Sequence, residues 1–266
     1  MMIETLEQGK HGSFAETPSK KRTESPPEMR SPKEEVLATR EKTLSKKIGR
    51  GVTDSSFVEL KDDGKGVFKT ELYQNERAAY LIDRFLGINL TPPTTIRNLD
   101  GEVGSMQEFI PDAKMLYEIE QDQKSEYDFR NRHREEFMKM WVFDLIIGNQ
   151  DRHGGNFLFS GDVLYAIDHG HSITKNGEKF ISEMKTYTVQ SGFFGEEMPT
   201  GLVQSVKKFL ENLEYQQILE DLLEEIIGKE YAVACLKRIR LIGDMMIKTG
   251  KIEEPTSGTC RYLLTS

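Results

Sequence analysis

The sequence predicts an α+β fold in which a small, β-rich lobe precedes a larger, mainly helical lobe. Between residues 48 and 112, short runs of β-branched and aromatic residues alternate with Asp-Gly turn dipeptides, and one segment has helical spacing. Between residues 113 and 254, apolar residues recur mostly at helical spacing. A chain of 266 residues is long enough to bury a core in both lobes.

The elements of the first lobe follow from its turn residues and its apolar spacing. Asp63-Gly64 is a strong hairpin signal between two β-type runs, and Asp100-Gly101 is a second one. Apolar residues at helical spacing between the two hairpins predict a helix. The predicted elements are strands at 55–60 and 66–71, a helix over about 74–86, and two strands around Asp100-Gly101 that end near residues 106–110.

The second lobe opens with the segment DFRNRHREEFMKMWVFDLIIGN, which starts polar and becomes apolar. This pattern predicts a helix that is buried near its end. Two short β-type runs joined by Gly161-Asp162 predict a hairpin, and three amphipathic segments separated by glycines follow. The predicted elements are a helix over about 128–148, strands at 157–160 and 163–168, and helices over about 201–213, 215–227 and 229–248.

The two ends of the chain lack the pattern of a packed domain. Residues 1–47 are rich in Lys, Arg, Glu, Ser and Pro and nearly free of aromatic residues, which predicts a disordered tail. Its Thr17-Pro18, Ser25-Pro26 and Ser31-Pro32 pairs fit either proline-directed phosphorylation sites or chance pairs in a solvated linker. Residues 255–266 are expected to form an irregular tail.

Composition narrows the class of protein. A formal net charge of −8 argues against bulk attraction to nucleic acid or to an anionic membrane. Cys235 and Cys260 have no CxxC spacing, which argues against a zinc module and a disulfide framework. No apolar run approaches the length of a membrane span. We therefore expect a cytoplasmic protein without a transmembrane segment, and peripheral membrane contact stays open.

The densest polar cluster is GNQDRHGGNFLFSGDVLYAIDHGH, at residues 148–171. Asp151 and Asn156 have the D-x-x-x-x-N interval of a phosphoryl-transfer loop, and Asp168 follows Asn156 by 12 residues. The predicted hairpin between them would return Asp168 to the side of Asn156. Carboxylate and amide oxygens suit Mg²⁺, so these residues predict a site that binds Mg²⁺ and phosphates.

The first lobe offers the cation that such a site needs. Lys69 lies in the predicted second strand among apolar neighbours, and Glu76 lies near the start of the predicted helix. The two could form an ion pair, or they could be an exposed strand lysine and an ordinary first-turn acid. The segment IGRGVTDSS, at 48–56, has the glycines and hydroxyls of a phosphate-binding turn, and it is also consistent with a simple turn.

These motifs together resemble a known family. GVTDSSFVELKDDGKGVFK, NERAAYLIDRFLGINLTPPT, SMQEFIP, DLIIGNQDRHGGNFL and YAIDHG, in that order, are similar to the phosphatidylinositol 3-/4-kinase-like branch of the protein-kinase-like superfamily. The similarity is greatest to type II phosphatidylinositol 4-kinases and their bacterial relatives, and it covers about residues 49–170. The pair D-R-H-x-x-N and I-D-x-G is its most specific part.

The resemblance implies a bilobal protein-kinase-like fold that uses ATP and Mg²⁺. It also implies a role for each matching residue, and Arg152 is expected to be structural. In the first lobe it implies Lys69 on the ATP phosphates with Glu76 as its ion-pair partner, and Ser55 and Ser56 in the phosphate-binding loop. It places Gln107, Glu108 and Phe109 in the hinge beside adenine. In the second lobe it implies Asp151 as the catalytic carboxylate, His153 against the transferring phosphate, and Asn156 and Asp168 as metal ligands.

The expected function is transfer of the γ-phosphate to a hydroxyl of a protein or of a phosphoinositide-type lipid. His169 stands where the lipid kinases usually have Phe or Asn, and residues 175–187 carry scattered lysines only, which favours a protein acceptor. One alternative is a nucleotide-binding pseudokinase scaffold. Another is a metal-dependent phosphoester hydrolase built on Asp151, His153, Asp168, His169 and His171, although buried, backbone-bonded histidines would also explain the last two. Phe193 and Phe194 fit a substrate or membrane contact, or a loop anchored in the core.

Overall fold

The computed structural model describes residues 30–48, 54–122, 126–173 and 193–253. A short 3₁₀ turn, Gly154–Asn156, lies directly ahead of the strand that begins at Phe157. In chain order the elements are α1 (Pro32–Thr39), β1 (Lys42–Lys47), β2 (Ser55–Leu60), β3 (Lys65–Lys69), α2 (Tyr73–Leu86), β4 (Thr94–Leu99), β5 (Glu102–Glu108), β6 (Lys114–Met115), α3 (Leu116–Asp122), α4 (Glu126–Arg132), α5 (Arg134–Ile147), β7 (Phe157–Ser160), β8 (Val163–Ala166), α6 (Thr200–Leu210), α7 (Leu213–Ile227) and α8 (Lys229–Thr249).

The first lobe is built on an antiparallel sheet with strand order β1-β2-β3-β5-β4. Asp62 and Asp63 take positive φ values in the turn between β2 and β3, as the Asp-Gly hairpin signal predicts. Because directly paired residues share a face, Ser55, Phe57, Val67 and Lys69 define what we call the cleft face of this sheet. The opposite face, the back face, buries a small cluster of apolar side chains, which are Val58, Leu60, Phe68, Leu99 and Met106.

Helix α2 belongs to both lobes. Ala78, Leu81 and Ile82 are fully buried in the larger core cluster, which continues through α5 and the C-terminal helices. The predicted helix over 74–86 and the two-lobed α+β architecture are therefore confirmed. Glu76 lies in the first turn of α2, so the position of this helix determines where Glu76 lies relative to the first sheet.

The predicted disordered tail is wrong for residues 32–39 and 42–47, which form α1 and β1. Ser31 caps α1 with a complete capping box, and Pro32 occupies its first turn. Helix α1 buries mainly Leu37 and the charged Glu34, and β1 is an exposed edge strand, so neither produces a hydrophobic pattern. Residues 1–29, including the Thr17-Pro18 and Ser25-Pro26 pairs, lie outside the described residues.

The long predicted helix over 128–148 is divided into α4 and α5. The division falls at His133, which leaves helical geometry with φ −103° and ψ 23°. Its buried ring packs between Phe129 and Phe159, with centroid distances of 4.6 and 5.2 Å. Packing of this ring against β7 therefore favours a break that helical spacing alone could not reveal.

The second lobe also contains a small sheet with strand order β6-β7-β8, in which β7 and β8 form the predicted hairpin. The predicted segments 175–187 and 255–266 lie outside the described residues. Within the described parts of the chain, no helix combines the length and the apolar character needed to cross a bilayer.

Candidate active site

Three charged side chains meet where the first sheet faces the second lobe. Lys69 ends β3, Glu76 lies in the first turn of α2, and Asp168 follows β8. Nζ of Lys69 donates to Oε1 of Glu76 at 2.7 Å and to Oδ1 of Asp168 at 3.0 Å. The sequence predicted Lys69 and Glu76 as partners, and the structure brings both to Asp168.

Helix α2 is fixed against the segment that follows Asp168. The side-chain amide of Asn75 donates to the carbonyl oxygens of Gly170 and Ser172, at 2.7 and 3.2 Å. The backbone N–H of His169 donates to Oε2 of Glu76 at 3.1 Å. Glu76 therefore binds Lys69 with one oxygen and the chain beside Asp168 with the other, so the three charged groups keep one relative position.

The charges of this cluster are mutually stabilised. Burial alone would lower the pKa of Lys69, but Glu76 and Asp168 raise it above its ordinary value. Burial alone would raise the pKa of Glu76, but Lys69 and His169 hold it well below its ordinary range. Lys69 is therefore a fixed cation and Glu76 a fixed anion at neutral pH, as a phosphate-binding lysine and its partner require.

His169 is a core residue. Its side chain is completely buried, its ring meets that of Phe143 edge-on at 5.6 Å, and its Nδ1 lies 3.5 Å from Oε2 of Glu76. Burial lowers the pKa of His169, which favours the neutral ring. No group of three or more His, Cys, Asp or Glu side chains is placed to hold a metal ion within residues 30–48, 54–122, 126–173 and 193–253. The burial of His169 and its contact with Phe143 support the interpretation of this histidine as a core residue.

Arg152 organises the loop between α5 and β7. Its guanidinium forms a buried ion pair with Asp144 of α5, with Nε and Nη2 at 3.0–3.2 Å from the carboxylate oxygens. Its Nη1 donates to the carbonyl oxygens of Asn156 and Ile167, at 2.8 and 3.0 Å. Arg152 thus connects the helix, the loop and the end of β8, which agrees with its expected structural role.

Asp151 and His153 lie at the open edge of this loop. The backbone N–H of Asp151 donates to Oδ1 of Asn149 at 2.9 Å, and the Asp151 carboxylate is half exposed. Nδ1 of His153 accepts the N–H of Gly155 at 3.1 Å, and its Nε2 lies 4.0 Å from Oδ2 of Asp151. Both groups are therefore oriented by the loop and accessible from solvent.

Asn156 lies beside Asp168, as the hairpin spacing predicted. Its side-chain amide donates to the carbonyl oxygen of Asp151 at 2.7 Å, which orients its side-chain oxygen away from that carbonyl. The N–H of Ile167 donates to the Asn156 carbonyl oxygen at 3.2 Å, so Asp168 follows directly. Carboxylate and amide oxygens are ligands that Mg²⁺ accepts, and the backbone contact brings the two residues that carry them close together.

Ser55 and Ser56 open β2 and lie on different faces of the sheet. Ser55 pairs with Lys69 on the cleft face, and Ser56 pairs with Phe68, which points to the back face. The N–H of Ile48 donates to the carbonyl oxygen of Ser55 at 2.8 Å and closes the β1–β2 hairpin. The glycine-containing turn of 48–56 therefore joins two strands, and its residues 49–53 lie outside the described part of the chain.

The predicted hinge residues occupy the end of β5 and the residue after it. The Gln107 side chain donates to Oγ1 of Thr94 at 3.0 Å and is buried inside the first lobe. The backbone N–H groups of Glu108 and Phe109 donate to the carbonyl oxygens of Pro93 and Lys65, at 2.8 and 3.0 Å. These two amides are therefore already used in contacts within the first lobe.

Sequence reasoning missed two apolar residues on the cleft face. Phe57 and Val67 pair directly and lie on the same face as Lys69. The ring of Phe57 meets that of Phe109 edge-on at 5.0 Å. Period-two alternation counted back from Lys69 would have identified Val67, and the register across the Asp63-Gly64 hairpin would then have given Phe57.

Phe193 and Phe194 are anchored in the core. Their rings meet that of Trp141 edge-on, with centroid distances of 5.9 and 4.9 Å. Both pack against the larger apolar cluster. This placement supports the core-anchor interpretation over the substrate or membrane contact.

Comparison with known sequences agrees with this arrangement. Residues 30–229 match the sequence profile of the family described as phosphatidylinositol 3- and 4-kinase. Protein Rv2133c of Mycobacterium tuberculosis is 28% identical over 159 residues, which cover 49% of this chain and 55% of that protein. The chain therefore spans about half the length of this curated relative.

Solved structures of similar fold are kinases and kinase-like proteins. One is hydra Fam20 with sugar (TM-score 0.56, 14% identity, 81% of this chain and 87% of that chain). Another is the Helicobacter pylori proinflammatory kinase CtkA (TM-score 0.53, 13% identity, 80% and 97%). A third is the Golgi casein kinase with Mn/ADP bound (TM-score 0.52, 15% identity, 82% and 78%). The likeness concerns the fold, and it confirms the predicted bilobal, protein-kinase-like architecture.

Proposed function

The chain belongs to the phosphatidylinositol 3- and 4-kinase family, and on that premise we propose that it is a kinase, which transfers the γ-phosphate of ATP to a hydroxyl group in a Mg²⁺-dependent reaction. The observation that carries this proposal is the contact of Lys69 with both Glu76 and Asp168. This contact joins the phosphate-binding cation of one lobe to a metal-binding carboxylate of the other. In kinases both must be in place for catalysis.

Each side chain has a distinct role in this proposal. Lys69 binds the ATP phosphates, and Glu76 holds it in position. Asn156 and Asp168 hold Mg²⁺, which neutralises negative charge on the β- and γ-phosphates when bound. Phe57 and Val67 cover adenine from the cleft face, beside the hinge residue Phe109.

Asp151 is the catalytic carboxylate. It orients the acceptor hydroxyl and takes its proton while the hydroxyl oxygen bonds to the γ-phosphorus and the bond from that phosphorus to the bridging oxygen of ADP breaks. Nε2 of His153 faces the same solvent-accessible edge and contacts the transferring phosphate. The half-exposed position of Asp151 supports this role because an acceptor can approach it.

We favour a protein hydroxyl as the acceptor. A solved structure of similar fold belongs to a casein kinase, a name that indicates a protein substrate for that enzyme. The chain has a formal net charge of −8, which disfavours broad contact with an anionic membrane. A phosphoinositide headgroup is the alternative acceptor, and the family name supports it.

The test is label transfer from γ-labelled ATP, with cell-lysate proteins and phosphatidylinositol vesicles assayed in parallel. We expect transfer that EDTA abolishes and that Mg²⁺ restores. Asp151→Ala should reduce the rate by about 10²–10⁴-fold while ATP still binds. Asp162→Ala, which removes an exposed carboxylate in the β7–β8 turn, is the matched control and should leave the rate unchanged.

Each acceptor class gives a different result. Label in proteins supports the favoured acceptor, and label in the lipid fraction alone assigns the phosphoinositide. ATP binding without transfer to protein or lipid would contradict the proposal and support a nucleotide-binding scaffold.

A further inference from the structure

Helix α1 contacts α2 through one completely buried carboxylate. Oε1 of Glu34 accepts from Nη1 of Arg77 at 2.8 Å. Its Oε2 accepts from the hydroxyl of Tyr80 at 3.0 Å and from Nη1 of Arg84 at 2.8 Å. The N–H of Ser31 donates to the same oxygen at 2.9 Å. A buried carboxylate with four donors has one well-defined position.

The three side chains that bind Glu34 lie on one face of α2. Arg77, Tyr80 and Arg84 are spaced by three and four residues, which aligns them along the helix. Arg77 follows Glu76 directly, and its guanidinium also donates to the carbonyl oxygen of Thr94 at the start of β4. Glu34 and the edge of the sheet therefore fix the same turn of α2 that presents Glu76 to Lys69.

The charge state of this contact is stable. Burial alone would raise the pKa of Glu34, but Arg77, the Ser31 N–H and Arg84 hold it below its ordinary value. Burial and the neighbouring Glu34 raise the pKa of Tyr80 to about 12, so the phenol keeps the proton that it donates.

Helix α1 is itself rigidly held. Ser31 and Glu34 form the capping box at its start, and Arg97 of β4 donates to the carbonyl oxygens of Leu37 and Arg40 at its end, at 2.9 and 3.1 Å. Leu37 packs in the apolar cluster on the back face of the sheet. Helix α1 therefore has a fixed position against the sheet. Through Glu34 it also fixes α2, the helix that carries Glu76.

We propose that Glu34 is a positioning residue for phosphoryl transfer, which holds α2 through Arg77, Tyr80 and Arg84 so that Glu76 meets Lys69. This inference rests on the proposed kinase function. Helix α1, which precedes the first sheet in the chain, would then contribute to catalysis by positioning α2. Displacement of α1 should therefore lower the transfer rate.

The test is a double-mutant cycle on the transfer rate of the full-length chain, with Glu34→Gln, Glu76→Gln and the double variant. Glu34→Gln should reduce kcat by about ten- to a hundredfold, because misplacement of a positioning group by about 1 Å has effects of this size. The double variant should be no slower than Glu76→Gln within about threefold, since both changes act on the same pair. Glu35→Gln, on the exposed side of α1, is the matched control and should keep the wild-type rate.

The thermal unfolding midpoint of every variant is measured beside the rate, because Glu34→Gln also removes a buried charge. If Glu34→Gln does not fold, Tyr80→Phe removes a single hydrogen bond to Glu34 and keeps the ring, and the same cycle is run with it. Losses that multiply between the two sites, or a full rate in the folded Glu34 or Tyr80 variant, would overturn the positioning role. An inactive wild type together with an inactive Glu35→Gln variant would instead refute the proposed function.

Discussion

Replacement of Arg152 by methionine tests how much its buried ion pair with Asp144 contributes to the stability of the protein. The Arg152 and Asp144 side chains are each only 1% exposed, so Arg152→Met leaves the Asp144 carboxylate buried with Asn149 as a remaining donor. It also removes the two hydrogen bonds to the carbonyl oxygens of Asn156 and Ile167. Loss of one partner from a buried ion pair costs about 3–5 kcal/mol, and we expect the free energy of unfolding to fall by that amount.

The assay is urea unfolding at neutral pH, with the transfer rate measured on the same samples. A second variant, Arg152→Met with Asp144→Leu, removes both charges and should recover about 1–4 kcal/mol of the lost stability. Its transfer rate should stay as low as in the single variant, because the link from the loop to the end of β8 is still absent. A loss of less than about 1 kcal/mol in the unfolding free energy of Arg152→Met would refute the stabilising role of the ion pair. Full activity in the double variant would refute the role of Arg152 in connecting the loop to the end of β8.

Three further predictions test other parts of the site. Gly104→Ala should lower the free energy of unfolding by about 1–3 kcal/mol in urea titrations, because an added Cβ would lie 2.3 Å from the backbone oxygen of Lys69. Asn156→Ala should raise the Mg²⁺ concentration needed for half-maximal transfer, and it should lower the free energy of unfolding without metal by about 0.5–1.5 kcal/mol, because the side-chain hydrogen bond to the Asp151 carbonyl is lost. Burial alone would raise the pKa of Glu34, but Arg77, the Ser31 N–H and Arg84 lower it, so its stabilising contribution is full above the ordinary value of 4.5 and is lost as the pH falls below it. The difference in unfolding free energy between wild type and Glu34→Gln should therefore shrink as the pH falls below 4.5, and a difference that stays constant would contradict this.

The elements and the candidate site were largely predictable because their signals are local. The Asp63-Gly64 turn fixed a hairpin, and helical spacing located α2. The interval from Asp151 to Asn156, followed by a hairpin of known length, was sufficient to place Asp168 beside Asn156. Each of these inferences depends on residues that are close in sequence, where backbone geometry restricts the outcome.

The parts that sequence reasoning missed are those held by buried polar contacts over long sequence distances. Glu34 is 43 residues from Arg77, and its burial leaves no apolar pattern in α1. The composition of residues 30–47 resembles a solvated tail because its buried surface is supplied by ion pairs and one leucine. His133 illustrates the same limit, since only its packing against β7 explains why the helix breaks there.

The backbone of Asp168 is held by the same contacts that form the candidate site. Asp168 has a φ of 59°, in the left-handed region that a non-glycine residue occupies at a cost of about 1–2 kcal/mol. The contacts on either side of it, from Lys69 to its carboxylate and from Glu76 to the N–H of His169, hold it in that conformation. Strained residues of this kind persist where the surrounding contacts over-determine them, and they concentrate at active sites. These contacts therefore fix the position of the carboxylate that the proposed function assigns to Mg²⁺ binding.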